Sequence, residues 1–244
     1  MNAATNLDTL RKERMTRMGL LAEPAGYVDG TNLYEYVGSN PTASVDPFGL
    51  QWFKDMGCKN DCEGVLEALI GGIPALPEGG RLDKARQQSG LDFLTMLAQA
   101  FKESSFDPNA KAPNSSATGL WQILDGTADD IQDRIWRNFI SRDNPMVPGG
   151  GRFRDHRTNP YLAATGYYAY LLDRIASAGG DLRKGLERYF GGEGKEDYAD
   201  KVLKGRDAIR KTCGLGENPT VDQIRNCLKE KCDEIKKVLE ATVR

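Results

Sequence analysis

The sequence predicts a mainly α-helical protein, and three observations carry that expectation. Apolar residues recur at helical spacing, as Leu94, Leu97 and Phe101 do alongside Phe93, Met96 and Ala100. Capping and breaking residues frame such segments: Thr220 with Gln223 opens one, and Gly191-Gly192 ends another. Strand character is confined to one short aromatic stretch around Tyr27 to Val37, closed by Asn40-Pro41 and Asp46-Pro47.

Taken in order, residues 1–26 are polar and carry a charged run, Arg11-Lys12-Glu13-Arg14. Residues 62–70 read as a short helix, with Val65-Leu66 and Leu69-Ile70 as its apolar face and Gly71-Gly72 as its stop. A loop over 74–80 leads to a helix over 91–104. The small polar stretch from Ala112 to Thr118 is a loop, either a cleft wall or a linker. Thr127 with Asp130 forms a capping box for a helix whose face is Ile131, Ile135 and Phe139. Asp129, Asp130 and Asp133 fit a role in solvating that helix and its start. A Pro/Gly loop fills 144–153, and His156 falls in a charged surface turn, Arg154 to Arg157. Further helices are expected over 161–175, 182–189 and 198–209. The last helix begins at Thr220, with Val221, Ile224, Leu228, Ile235, Leu239 and Thr242 on one face, packed on the core or docking a partner.

Composition narrows the function classes. The chain has 244 residues, 39% of them hydrophobic, enough for one sizeable domain and a smaller segment. Residues 1–50 hold 4 basic and 6 acidic side chains, so the remainder is balanced at 29 of each. That balance argues against a nucleic-acid partner. No apolar run reaches the length of a membrane span. Met1 to Asp8 lacks a basic region followed by an apolar stretch, so no secretory leader is read there. The spacings of Cys58, Cys62, Cys213, Cys227 and Cys232 do not match a zinc ribbon, so no metal and no cofactor are expected. Disulfides with one cysteine left over, implying an oxidising destination, compete with five buried thiols. Cys213 paired with Cys227 or with Cys232 would tie the last helix to the loop before it.

The chemistry centres on Phe101-Lys102-Glu103-Ser104-Ser105-Phe106-Asp107-Pro108-Asn109-Ala110. Glu103 continues the second apolar stripe of its helix, which turns its carboxyl partly inward beside Phe101 and Phe106. Burial disfavours the charged form and raises the pKa, as protonation of a poor leaving group requires. The same pattern also fits an ordinary surface Glu at a fraying helix end.

That run, together with Gly119-Leu120-Trp121-Gln122, Gly126-Thr127-Ala128 and the stretch from Gly180 through Tyr189-Phe190-Gly191-Gly192 to Tyr198 and Lys201-Val202-Leu203, resembles the lytic transglycosylases of the lysozyme-like superfamily. The likeness spans roughly residues 88 to 205. It implies a lysozyme-like helical domain over 88–212, preceded by a helical lead-in over 51–87 and followed by a C-terminal helix extension over 213–244. It also implies peptidoglycan as substrate and Glu103 as the catalytic residue, first acid and then base, giving a 1,6-anhydro product. Ser104 would aim Glu103. Gln122 and the Gly119-Leu120 backbone would hold sugar. Trp121, where the family has Met, offers a stacking face, and Tyr189 would orient the carboxyl or be a half-buried core aromatic. Phe190 stands where the family usually has Asn, which leaves the sugar register open. A hydrolytic muramidase using Asp107 or Asp125 as a second carboxylate is the nearest alternative. A wall-binding module without catalysis is the alternative of another class.

Asn32-Leu33-Tyr34-Glu35-Tyr36-Val37-Gly38-Ser39-Asn40-Pro41, followed by Asp46-Pro47-Phe48-Gly49-Leu50, resembles the end of the core of Rhs repeat proteins. That likeness makes residues 1–50 a core remnant in front of a toxin, with a junction at Leu50/Gln51. Asp46 would belong to a self-cleaving aspartyl site cutting after Leu50. Such a site needs two carboxylates, and the corresponding upstream stretch Thr16-Arg17-Met18-Gly19-Leu20 has none, so little self-cleavage is expected. The toxin reading implies manufacture in the cytoplasm, export by secretion machinery engaging the Rhs part, action in the periplasm of a target bacterium, and a cognate immunity protein.

Overall fold

One helix sets the frame. In the computed structural model, which describes residues 57–73, 79–135 and 152–243, Asp92 caps the helix Phe93–Ser104 by accepting from the Thr95 amide at 2.8 Å. Every residue from Leu94 to Phe101 is buried, so this helix runs through the core rather than along its surface. It ends sharply. Ser105 and Phe106 both adopt positive φ, 58° and 71°, and the Ser105 amide closes back on the Phe101 carbonyl at 2.8 Å. Phe106 then folds edge-on against Phe101, with centroids 5.2 Å apart. The reversal leaves Glu103 on the last turn, at the rim of the core.

We number the helices in chain order. α1 is Asp61–Gly72, α2 Arg81–Ser89, α3 Phe93–Ser104, α4 Asp125–Asp130, α5 Pro160–Ser177, α6 Leu182–Phe190, α7 Lys195–Cys213 and α8 Val221–Val243. A π-helical turn, Ile131–Ile135, extends α4, and a 3-10 turn covers Phe153–His156. No strand occurs among the described residues; isolated bridges join Thr118 to Lys111 and to Ile123. The mainly helical class read from the sequence holds.

The caps explain most boundaries. Asn60 caps α1, Asn159 caps α5 with Pro160 in its first turn, and Asp181 caps α6. At α8, Thr220 Oγ1 accepts from the Gln223 amide at 3.2 Å and Gln223 Oε1 accepts from the Thr220 amide at 2.8 Å, which is the expected capping box. At α4 the sequence reading is corrected: the helix begins at Asp125, two residues before Thr127, and Leu124 supplies no side-chain cap. α2 falls mostly within the stretch expected as a helical lead-in, residues 51–87. It is polar apart from Leu82 and Ala85, and its contact with α5 comes from tertiary packing rather than from an apolar stripe.

α3 is enclosed by α1, α7 and α8, while α6 packs between α5 and α7. The crossing of α3, α7 and α8 is close. A Cβ on Gly205 of α7 would lie 2.6 Å from Val243 and 3.1 Å from Ala98. α8 is fastened by two disulfides, Cys62–Cys232 to α1 and Cys213–Cys227 to the end of α7. Of the two partners left open for Cys213, Cys227 is the one found; Cys58 is outside both bridges. The last turn of α8 reaches the site, because Lys102 Nζ donates to the Val243 carbonyl at 2.7 Å. Residues 1–50, with Asp46 and Leu50, lie outside the described residues, as do Phe139 and most of the two expected loops at 74–80 and 144–153.

Candidate active site

Glu103 opens into a cleft of about 280 Å³ lined by Lys102, Phe190, Glu193, Gly194, Asp197 and Tyr198. Burial pushes its pKa up to about 7, against the opposing pull of the Tyr198 hydroxyl and the Lys102 ammonium. The C-terminal end of a helix also disfavours an anion, in the same direction. Tyr198 donates its hydroxyl proton to Glu103 Oε1. Burial, then the negative field of Glu103, hold the Tyr198 hydroxyl well above its ordinary pKa, so it stays protonated. The Tyr198 ring is itself clamped, stacked on Phe190 at 4.6 Å with Lys102 Nζ 5.4 Å from its centroid.

Several expected site residues sit elsewhere. Tyr189 does not reach the acid: its hydroxyl donates to the Trp121 carbonyl at 2.8 Å. The orienting tyrosine is Tyr198, nine residues on. Ser104 does not aim Glu103 either, since its hydroxyl returns to the Ala100 carbonyl at 3.0 Å. Trp121 offers no stacking face. It is fully buried, stacked on Tyr167 at 4.5 Å, with Nε1 donating to the Met96 carbonyl at 3.4 Å. The exposed ring beside the acid is Phe190, 45% accessible. Leu120 is core.

Gly119 and Gln122 act on the loop rather than facing the cleft. Gly119 has φ 84°, and a Cβ there would stand 2.1 Å from the Arg157 carbonyl oxygen, so only glycine fits. Its amide donates to the Ala110 carbonyl at 2.8 Å. Gln122 Nε2 donates to the carbonyls of Ala110 and Gly119, at 3.1 and 2.9 Å. From the other side Arg157, 8% exposed, donates to the carbonyls of Ser116 and Ile123 and pairs with Asp125. The polar loop from Ala112 to Thr118 is thereby held as a fixed wall.

The carboxylates expected to assist hydrolysis are also differently placed. Asp125 is engaged by Arg157, and Asp107 accepts from the Asn109 amide at 2.8 Å; neither lines the cleft. Glu193 and Asp197 do line it, and Asp197 pairs with Lys201 at 3.0 Å. Sequence reasoning missed these two, Arg157 and Gln99. For Gln99 there was a signal: a lone amide in an apolar helix, one turn before Glu103.

An acid that keeps its proton to about pH 7, held in a helical frame beside an open cleft, can protonate a glycosidic oxygen. This places the domain among the lysozyme-like enzymes that cut glycan strands. The Transglycosylase SLT domain family model matches residues 81–209, and the chain belongs to that family. It is an enzyme that cleaves glycosidic bonds of peptidoglycan. No curated protein and no solved structure matches the chain. The four disulfide-forming cysteines all lie outside the matched residues.

Proposed function

We propose that the chain is the toxin end of an Rhs-type effector, cutting between N-acetylmuramic acid and N-acetylglucosamine as a lytic transglycosylase. The observation that carries the chemistry is Glu103, one acid with a raised pKa and a hydroxyl fixed against one of its oxygens. Glu103 gives its proton to the glycosidic oxygen. The bond from the muramyl C1 to that oxygen breaks, and its electron pair leaves with the oxygen. The Glu103 carboxylate then takes the proton of the muramyl C6 hydroxyl, and O6 bonds to C1. No water is consumed, and Glu103 ends protonated.

The effector role is supported by the Rhs-like residues before Leu50 and by two disulfides suited to an oxidising compartment such as the periplasm. An immunity protein that fills the Glu103 cleft would protect the producer. Hydrolysis is the second reading, and the observation that favours it is that Glu193 and Asp197 line the cleft, where either would supply a second carboxylate. Mass spectrometry of the fragments released from purified peptidoglycan separates the two. Ends in anhydro-muramic acid, one water lighter than reducing ends, are expected; reducing ends alone would replace the transglycosylase reading with hydrolysis.

Phe190 is the residue placed to stack a sugar, since Tyr198 covers one face of its ring and the residue remains open at the cleft. Phe190→Ala is expected to raise KM for soluble glycan strands by roughly 3–10-fold, with a smaller change in kcat. Steady-state kinetics on chains of defined length checks this. An unchanged KM removes Phe190 from the sugar site.

A further inference from the structure

Behind Glu103 runs a buried hydrogen-bond chain that the reaction as described does not use. The Tyr167 hydroxyl donates to Gln99 Oε1 at 2.8 Å, and Gln99 Nε2 donates to the Tyr198 hydroxyl oxygen at 3.0 Å. Tyr198 in turn donates to Glu103 Oε1. Gln99 and Tyr167 are 0% exposed and Tyr198 4%. Gln99 lies four residues before Glu103, so both side chains leave the same face of α3.

The direction of this chain follows from its far end. Tyr167 is wedged in place, stacked on Trp121 at 4.5 Å and edge-on to Tyr189 at 5.8 Å. Its hydroxyl proton goes to Gln99. Turning the Gln99 amide round would set an NH₂ group against that hydroxyl and leave the proton without this acceptor in a site closed to water. The amide oxygen therefore faces Tyr167 and the NH₂ group faces Tyr198. A phenol has one proton to give. With Gln99 donating to its oxygen, Tyr198 directs that proton at Glu103 Oε1.

We propose that Gln99 is a positioning residue for the acid: by fixing Tyr198 as a donor, it keeps the proton of Glu103 on Oε2, the oxygen left to serve the cleft. Without Gln99, Tyr198 is free to turn and accept the proton of Glu103. The neutral acid is then stabilised with its proton held by the protein rather than offered to substrate. The inference rests on Glu103 being the acid. The charged and titratable groups around Glu103 are Lys102 on its own helix, Asp197, Tyr198 and Lys201 on α7, Glu193 in the loop before it, Tyr189 on α6 and Tyr167 on α5. A change at Gln99 touches two of them directly, Tyr198 and Tyr167, and replaces none of the charged ones.

Gln99→Met keeps the length of the side chain and removes both hydrogen bonds. Tyr167→Phe removes only the proton that orients the amide. In the full chain, both variants are expected to move the alkaline limb of the pH–kcat/KM profile to higher pH and to lower kcat about tenfold, with KM within about twofold. The Tyr167→Phe effect should be the smaller. A packing role alone would lower the melting temperature or the active fraction and leave the limb in place, and that result overturns the proposal, as does a limb that moves to lower pH. Should Gln99→Met fold poorly, the profile of Tyr167→Phe decides. Activity surviving in Glu103→Gln instead removes the acid itself, so the two failures are told apart.

Discussion

Glu103→Gln is expected to reduce release of peptidoglycan fragments by roughly 10²–10⁴-fold at pH 6, the range typical of a lost general acid. Gln fills the same volume and its amide oxygen still accepts from Tyr198, so the loss reports chemistry rather than folding. In the wild type, kcat/KM should fall as pH rises through about 7, because the group that must carry the proton titrates there. The same shift makes stability depend on pH in the same direction as activity. The folded-state pKa of Glu103 is raised to about 7 from an ordinary 4.5, so the fold prefers the protonated acid. That contribution is fully present below about pH 4.5 and is lost as pH rises through about 7. Gln cannot ionise. Glu103→Gln should therefore melt with the wild type at low pH and above it at pH 8, while being far less active. Melting curves across that window check this; a variant that is inactive and also destabilised at pH 8 would mean that Glu103 is structural.

Parts of this fold and site are legible in the sequence, and parts depend on contacts between distant residues. Glu103 was legible because its position depends on local facts: an apolar stripe that it continues and a loop motif that follows. α8 was legible for the same reason, its capping box and long apolar face both being local. The choice between Tyr189 and Tyr198 was not. Both lie near the same break, and which one meets the acid depends on how α7 leaves the turn between the positive-φ glycines Gly191 and Gly194. Trp121 looked like an exposed platform because sequence has no way to register Tyr167, 46 positions later, stacking over it. α2 was expected only as an undivided part of the helical lead-in over 51–87, because its residues have little helical patterning of their own and depend on α5. The pairing of Cys62 with Cys232, 170 positions apart, is a tertiary fact of the same kind.

That long-range pairing gives the second large effect. Cys62→Ala with Cys232→Ala is expected to lower the melting temperature by roughly 10 °C, and reduction of both bridges by more. In the chain-entropy view a bridge across 170 residues removes about 5 kcal/mol of freedom from the unfolded chain, and one across 14 about 3 kcal/mol. Measured values are usually about 2–4 kcal/mol each, against a total stability of about 5–15 kcal/mol for a domain. At this size each kcal/mol is worth about 2–4 °C. The loss should also reach catalysis. α8 covers the crossing at Gly205 and its Val243 carbonyl holds Lys102, the neighbour of Glu103. Calorimetry and fragment release, each with and without a thiol reductant, test both parts. If activity and melting temperature are unmoved by reduction, α8 is held by packing alone and the disulfides lend no support to an oxidising destination. If both fall together, the enzyme is at full strength only where thiols are oxidised, and the two bridges that fasten α8 are what sets that requirement.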